Sequence, residues 1–156
     1  MFRKMRRAGQ ELSKEECEEI LFNQPRGVLA LLGDYDYPYA IPLSHVYANG
    51  RIYFHGAQTG HKRDAVMNHS KCSYCILDEG VKAADSWWYT FKSVIVFGRI
   101  KTLTDRDEKI EALTYLGDKF FPSHDDTVDE IDRLLHKTEV FEIEIEHMSG
   151  KVVKEK

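Results

Sequence analysis

The sequence predicts a mainly β domain, an antiparallel β-barrel or α+β fold, and three observations carry that expectation. Near the C-terminus, "EVFEIEIEHM" alternates with a period of two, setting Phe141, Ile143 and Ile145 on one face and Glu142, Glu144 and Glu146 toward water. Asn49-Gly50 marks a tight hairpin, because both residue types tolerate positive φ. The candidate strands come in runs, with the longer helices placed late, whereas a doubly wound parallel sheet alternates strand and helix throughout.

Ser13 followed three residues later by Glu16 is a capping-box pattern, and a short helix over "KEECEEILFN" follows from it. "GVLALLG" is an apolar run between glycines and predicts a strand buried on both sides. "DYDYPYA" turns the chain. "YAIPLSHVY" predicts one strand, with Tyr39, Ile41, Leu43, His45 and Tyr47 opposite Ala40, Pro42, Ser44 and Val46. "RIYFH" returns from the hairpin. A short helix is expected from His61 to about His69, then a strand over "KCSYCILDE". "GVKAADSWW" starts as a loop and leads into a long strand, "WYTFKSVIVFGRIKTL", with Tyr89, Phe91, Ser93, Ile95 and Phe97 on one face. Thr104 is placed to cap a helix reaching about Phe120, with Asp105 and Asp107 suited to its positive end. "FPSHDD" ends that helix and "TVDEIDRLLHK" forms a shorter one.

The 156 residues fit a single domain, with no repeat, low-complexity tract or linker. Residues 1–10, including the basic run "FRKMRR", read as a solvated arm, and residues 149–156 as a tail. A net charge of −4 argues against general nucleic-acid binding, which needs a basic field. No apolar run reaches the roughly 18–20 residues that would span a bilayer. No apolar core follows the basic N-terminus, as a secretory signal requires. Three cysteines do not make a disulfide framework. A soluble, cytoplasmic protein is the expectation.

The stretch "IYFHGAQTGHKRDAV" gathers His55, Gly56, Gly60, His61, Lys62 and Arg63 between a predicted strand and a predicted helix. Unpaired amides at a helix start welcome an anion. His61 and Lys62 can add charge-assisted hydrogen bonds, and the two glycines permit close approach or positive φ. The spacing is neither a Walker loop nor a dinucleotide fingerprint. Cationic side chains at a helix N-terminus are electrostatically misplaced, and a bound anion would resolve the conflict. A glycine-containing surface turn leading into a solvated basic helix accounts for the same residues.

His45 shares a predicted face with Ile41 and Leu43, which suits a half-buried, hydrogen-bonded histidine. Pro42 belongs at an edge or bulge, and an opening beside Pro42, Leu43, Ser44 and His45 would expose backbone groups to a ligand. Ser93 is a lone hydroxyl on an aromatic and aliphatic face. Trp87 and Trp88 suit a core edge or stacking on a flat ring. Cys72 and Cys75 form a C-x-x-C, but within a strand they point to opposite faces, and no second pair completes a zinc site. The seven histidines show no zinc spacing, so no metal is expected.

These positions resemble the FMN-binding split-barrel proteins related to pyridoxamine 5′-phosphate oxidase, and more closely their nitroimidazole-resistance (Nim) branch. The carrying residues are "GVLALLGDYDYPYAIPLSHVYANGRIYFHGAQTGHKRDAV", "KCSYCILDE" and "YTFKSVIVFGRI", within a likeness from about Gln10 to His147. The resemblance implies a six-stranded antiparallel split barrel with flanking helices, working as a homodimer with FMN at the subunit interface. Pro42, Leu43, Ser44 and His45 would lie along the flavin ring and ribityl chain. His55, Gly56, Gly60, His61 and Lys62 would take the phosphate end, with Lys62 matching the family's phosphate-binding lysine. Trp88 joins the cofactor set, and Ser93 and Val94 would reach the flavin of the other subunit. His45 matches a histidine associated with the Nim active site, where it would orient substrate or donate a proton. The C-terminal Trp and Arg that hold pyridoxal phosphate in the oxidase branch have no counterpart in "EIEHMSGKVVKEK". The implied activity is therefore an FMN-dependent oxidoreductase that uses NAD(P)H to reduce nitroaromatic or similar small aromatic compounds. A flavin-binding storage or sensing protein, or a haem- or deazaflavin-binding barrel, is the alternative.

Overall fold

The computed structural model describes residues 1–85 and 87–154, and among these eight strands form one antiparallel sheet curled into a half-barrel. The strands are β1 (Arg26–Leu32), β2 (Pro38–Ser44), β3 (Val46–Ala48), β4 (Arg51–Ala57), β5 (Lys71–Leu77), β6 (Val81–Lys82), β7 (Tyr89–Thr102) and β8 (Thr138–Lys154). Their order is β2-β1-β5-β7-β8-β4-β3, with β6 paired to β7. Helices α1 (Lys14–Asn23), α2 (His61–Asn68), α3 (Arg106–Phe120) and α4 (His124–Leu134) flank the sheet. No helix among the described residues is long and apolar enough to cross a membrane.

The strand count exceeds the expected six for two reasons. Val81–Lys82 adds a short rung, and the single strand expected over residues 39–47 is broken at His45. β2 pairs with β1 at one edge of the sheet, while β3 pairs with β4 at the other. His45 alone carries the chain across the split, its N–H donating to the Pro25 carbonyl at 3.2 Å. Pro42 lies on the edge strand, where a missing amide costs no ladder bond.

The inner face of the sheet packs Leu29, Ile52, Phe54, Tyr74, Val96 and Phe141, with Cys17 and Leu21 of α1 against them. A second cluster, including Tyr53, Leu103, Ala112, Leu116 and Val140, fills the space between α3 and the outer face of β4 and β8. That cover explains one departure from expectation. Glu142 shares the face of Val140 and is buried rather than turned to water, held by Arg51 at 3.4 Å and Lys101 at 3.3 Å.

"GVLALLG" is likewise not buried on both sides. β1 buries Leu29 and Leu31, but Val28 and Leu32 are exposed at 37% and 38%. In β7 the inward residues are Val94, Val96 and Ile100, and the predicted face of Ile95 and Phe97 points outward. Among the described residues, nothing but the N-terminal arm lies over the outer face of β1, β5 and β7. Phe2 of that arm stacks on His147 and Phe97 at 4.5 and 5.5 Å. The expected tail is also strand as far as Lys154, in register with Thr90.

Helix starts follow local chemistry. Ser13 and Glu16 form the reciprocal capping box, at 2.9 and 3.1 Å. The cap of α3 is Asp105 rather than Thr104, its carboxylate accepting the amides of Asp107 and Glu108 at 3.0 Å each. The shorter helix begins at His124, three residues earlier than expected, because Ser123 accepts the Asp126 amide at 3.2 Å. Asn49 and Gly50 take φ of 52° and 72°, making the predicted hairpin turn.

Candidate functional site

β4 ends at Ala57, and α2 starts four residues later behind Gly60, whose φ of 111° favours glycine. No side chain caps α2. The three basic residues that open the helix have different fates. His61 stacks on Tyr39 at 4.0 Å between centroids, and its Nε2 accepts the Asp34 amide at 3.2 Å. It is committed to the β1–β2 turn, not to the anion position expected for it. Arg63 donates from Nε to Glu139 Oε2 at 3.1 Å.

Lys62 has no such partner. Its Nζ lies over the rings of Phe54 and Phe141, at 5.5 and 5.2 Å from their centroids, and no carboxylate pairs with it among the described residues. Burial pushes its pKa down from the ordinary lysine range. A Cβ at Gly56 would sit 2.6 Å from this nitrogen, so the glycine is what makes room for it.

His45 is fully buried. Its Nε2–H donates to the Leu21 carbonyl at 2.9 Å, which leaves Nδ1 to accept the Tyr74 hydroxyl at 3.0 Å. Burial lowers its pKa to about 4; the bond to Leu21 opposes that shift and the Lys119 charge adds to it. Both nitrogens are occupied and neither faces solvent. The histidine is hydrogen-bonded, as in the plain sequence reading, but fully rather than half buried, and the proton-donating role implied by the resemblance has no route in this protomer.

His55 points to the opposite side of β4 from Gly56. Together with Ser44, at the end of β2, it lines a cleft of about 340 Å³ whose other walls come from α3 and α4. The side chains of Ser44 and His55 have no hydrogen-bond partner among the described residues. Burial and the nearby Lys62 charge lower the His55 pKa. The helical walls, among them Leu113, Leu116 and Leu134, escaped the sequence reading because apolar residues at helical spacing look like core.

Ser93, Val94 and Trp88 are not brought to the basic turn within one chain. β8 carries Glu139 beside Gly56 and Lys151 beside Ser93, so the two groups lie toward opposite ends of the longest strand. Val94 is fully buried in the inner core, so its side chain is not available to a cofactor. Ser93 is half-buried on the outer face. Trp88 precedes β7, packs edge-on to Trp87 at 5.9 Å, and accepts the Ala83 amide at 3.0 Å. Cys72 is buried, donates weakly to the Gly98 carbonyl and has its pKa pushed up to about 12, while Cys75 lies on the other face.

Comparison with known proteins agrees with this architecture. The model of the pyridoxamine 5′-phosphate oxidase family matches residues 13–152. A Bacteroides thetaiotaomicron protein assigned to 5-nitroimidazole antibiotic resistance shares the fold with a TM-score of 0.77 at 17% identity, over 92% of this chain and 87% of that one. An FAD-binding protein from Mesorhizobium loti gives 0.67 at 26% identity, over 92% and 97%. The FAD and heme binding protein of Mycobacterium smegmatis gives 0.77 at 21% identity, over 92% and 73%. No curated protein sequence matches the chain. With the family match covering nearly the whole sequence and the half-barrel topology beneath it, this chain belongs to the pyridoxamine 5′-phosphate oxidase family and has its split-barrel fold.

Proposed function

We propose that the protein is a flavin-dependent oxidoreductase that holds FMN by its phosphate at the turn between β4 and α2. Lys62 is the observation that carries this reading: of three neighbouring basic side chains, it is the one without a counter-charge. A half-desolvated ammonium with only ring faces beside it is costly, and a phosphate would relieve it through charge-assisted hydrogen bonds. The uncapped amides of α2 favour the same anion, and Gly56 and Gly60 leave it space.

A bound flavin supplies the redox chemistry, taking electrons from reduced nicotinamide and passing them to a flat electron-poor acceptor such as a nitroaromatic. The chain's part is to bind and orient. Lys62 fixes the phosphate, and the free edge of β2 at Pro42 and Leu43 offers backbone groups to a planar ring. His45 acts at one remove, tying the β2–β3 crossing to α1 and Tyr74. A homodimer would let Ser93 and Trp88 of one copy approach the basic turn of the other. FAD is the second reading, favoured by the Mesorhizobium loti protein because its identity exceeds that of the other two structures compared.

Lys62→Ala should weaken FMN binding about 10- to 100-fold while leaving riboflavin binding within about twofold, since a hydrogen bond to a charged group is worth roughly 1.5–3 kcal/mol. Equal weakening of both would remove the phosphate assignment. The purified protein should show the two absorption bands of a flavin. A Soret band would replace flavin with haem, and a protein that takes up neither FMN nor FAD would reject the reading. Bleaching by NAD(P)H without air, followed by reoxidation with a nitroimidazole, separates an enzyme from a storage protein.

A further inference from the structure

The cleft under α3 and α4 is not needed for the phosphate, because His55 and Gly56 face opposite sides of β4. Its volume, about 340 Å³, falls in the range of small-molecule sites. Leu113, Leu116 and Phe120 of α3 and Leu134 of α4 make apolar walls. The helix pair closes tightly, because Gly117 leaves no room for a side chain against Thr127.

Two polar groups in this apolar setting stand out by what their neighbours do. Thr138 spends its hydroxyl on the Leu134 carbonyl at 2.8 Å. Glu130 is tied to Arg133 Nε at 3.1 Å. The Ser44 hydroxyl and the His55 ring, both on exposed residues at the mouth of the cleft, have no protein partner among the described residues and stay free for a ligand. A neutral imidazole offers one N–H, so this end of the cleft presents two donors with the Lys62 charge nearby. Donors backed by a positive field fit an oxygen with partial negative charge. The apolar walls disfavour a full charge or a flexible polar chain.

We propose that this cleft binds an uncharged, flat, one- or two-ring aromatic compound whose nitro or carbonyl oxygen accepts hydrogen bonds from His55 and Ser44. Such a compound is the electron acceptor that the oxidoreductase reading requires; turnover of it rests on that reading, but binding does not. Ser44 and His55, which the family resemblance assigns to the cofactor, would thus serve a second molecule.

Calorimetry with 5-nitroindole, and with indole as the same ring system lacking the acceptor oxygens, tests this on flavin-free and FMN-saturated protein. Wild type should prefer 5-nitroindole by about tenfold, the worth of one to two hydrogen bonds. His55→Phe and Ser44→Ala should each bring 5-nitroindole toward the affinity of indole, with indole itself unchanged. Leu134→Trp fills the cleft and should abolish binding of both; if it does not fold, His55→Phe decides. Equal wild-type affinity for the two compounds would overturn the proposal, as would insensitivity to both His55→Phe and Leu134→Trp. Stoichiometric displacement of 5-nitroindole by FMN would overturn it too, making the cleft the seat of the cofactor ring. A protein that takes up no flavin yet discriminates the two compounds as described would sink the flavin reading and leave this one standing.

Discussion

His45 is fully and Lys62 partly removed from water, and the sheet treats them in opposite ways. His45 gets a full set of hydrogen bonds and gives up its charge; Lys62 has rings for neighbours and no counter-ion among the described residues. The first arrangement makes stability depend on pH. With a folded pKa near about 4 and an unfolded value near 6.5, the unfolded chain binds the extra proton between those limits. The contribution is therefore complete above about pH 6.5 and is lost as the pH falls toward 4, a span worth about 3 kcal/mol. His45→Gln should lie well below wild type in urea unfolding at pH 7, and the gap should narrow by about that amount at pH 4. A constant gap would mean that His45 is not held neutral. Lys62 carries the opposite expectation: Lys62→Met should raise the melting temperature of the flavin-free protein by about 2–4 °C, for roughly 1 kcal/mol, while abolishing the preference for FMN over riboflavin. A lower melting temperature would show that the ring faces fully offset the buried charge.

At the level of elements, the features set by neighbours in sequence were the legible ones. The capping box of α1 and the Asn49-Gly50 turn need only four adjacent residues, and both form as read. Even there the sequence offers near-equivalent choices. Asp105 wins over Thr104 because its carboxylate reaches two amides at once. Asp105→Ala should cost about 1 kcal/mol in denaturant unfolding, and Thr104→Ala less than about 0.5. Comparable losses would return the cap to Thr104. What escaped the sequence depends on distant partners. Alternation runs unbroken through "YAIPLSHVY", yet the strand breaks at His45 because Leu21 and Tyr74, 24 and 29 residues away, hold its ring. Glu142 sits on a face that is polar in pattern, but α3 packs over that face of the sheet. In the same way, nothing local tells Lys62 from His61 and Arg63. His61 accepts the Asp34 amide and Arg63 donates to Glu139, across 27 and 76 residues. The resemblance singled out Lys62 for the phosphate; the fold adds that, of the three, it is the one with no carboxylate partner among the described residues.

For the whole molecule, the open question is what covers the outer face of β1, β5 and β7. Val28, Cys75 and Ile95 lie in one register across these strands, and Leu32, Leu77 and Phe97 extend the strip, exposed at 38%, 54% and 40%. A contiguous apolar strip of this kind is unusual on a protein that stays monomeric in water, whereas single exposed hydrophobes are ordinary. The geometry of β8 adds a second reason for a partner: Gly56 and Ser93 lie against opposite ends of it, and one chain cannot fold them onto the same ligand. Two copies related by a twofold axis, each laying this strip on the other, would bury the strip twice over and bring opposite ends together. Sedimentation at micromolar concentration should accordingly give twice the mass of the chain. Ile95→Glu, which sets a charge in the middle of the strip without touching the inner core, should give a folded monomer with an unchanged circular dichroism spectrum. If the cofactor site is shared between subunits, that monomer should lose FMN affinity by at least about tenfold, although Ile95 is remote from Lys62 within its own chain. A wild-type monomer would leave the strip to some other partner. A monomeric Ile95→Glu variant with undiminished FMN affinity would place the whole site, phosphate and ring alike, within a single chain.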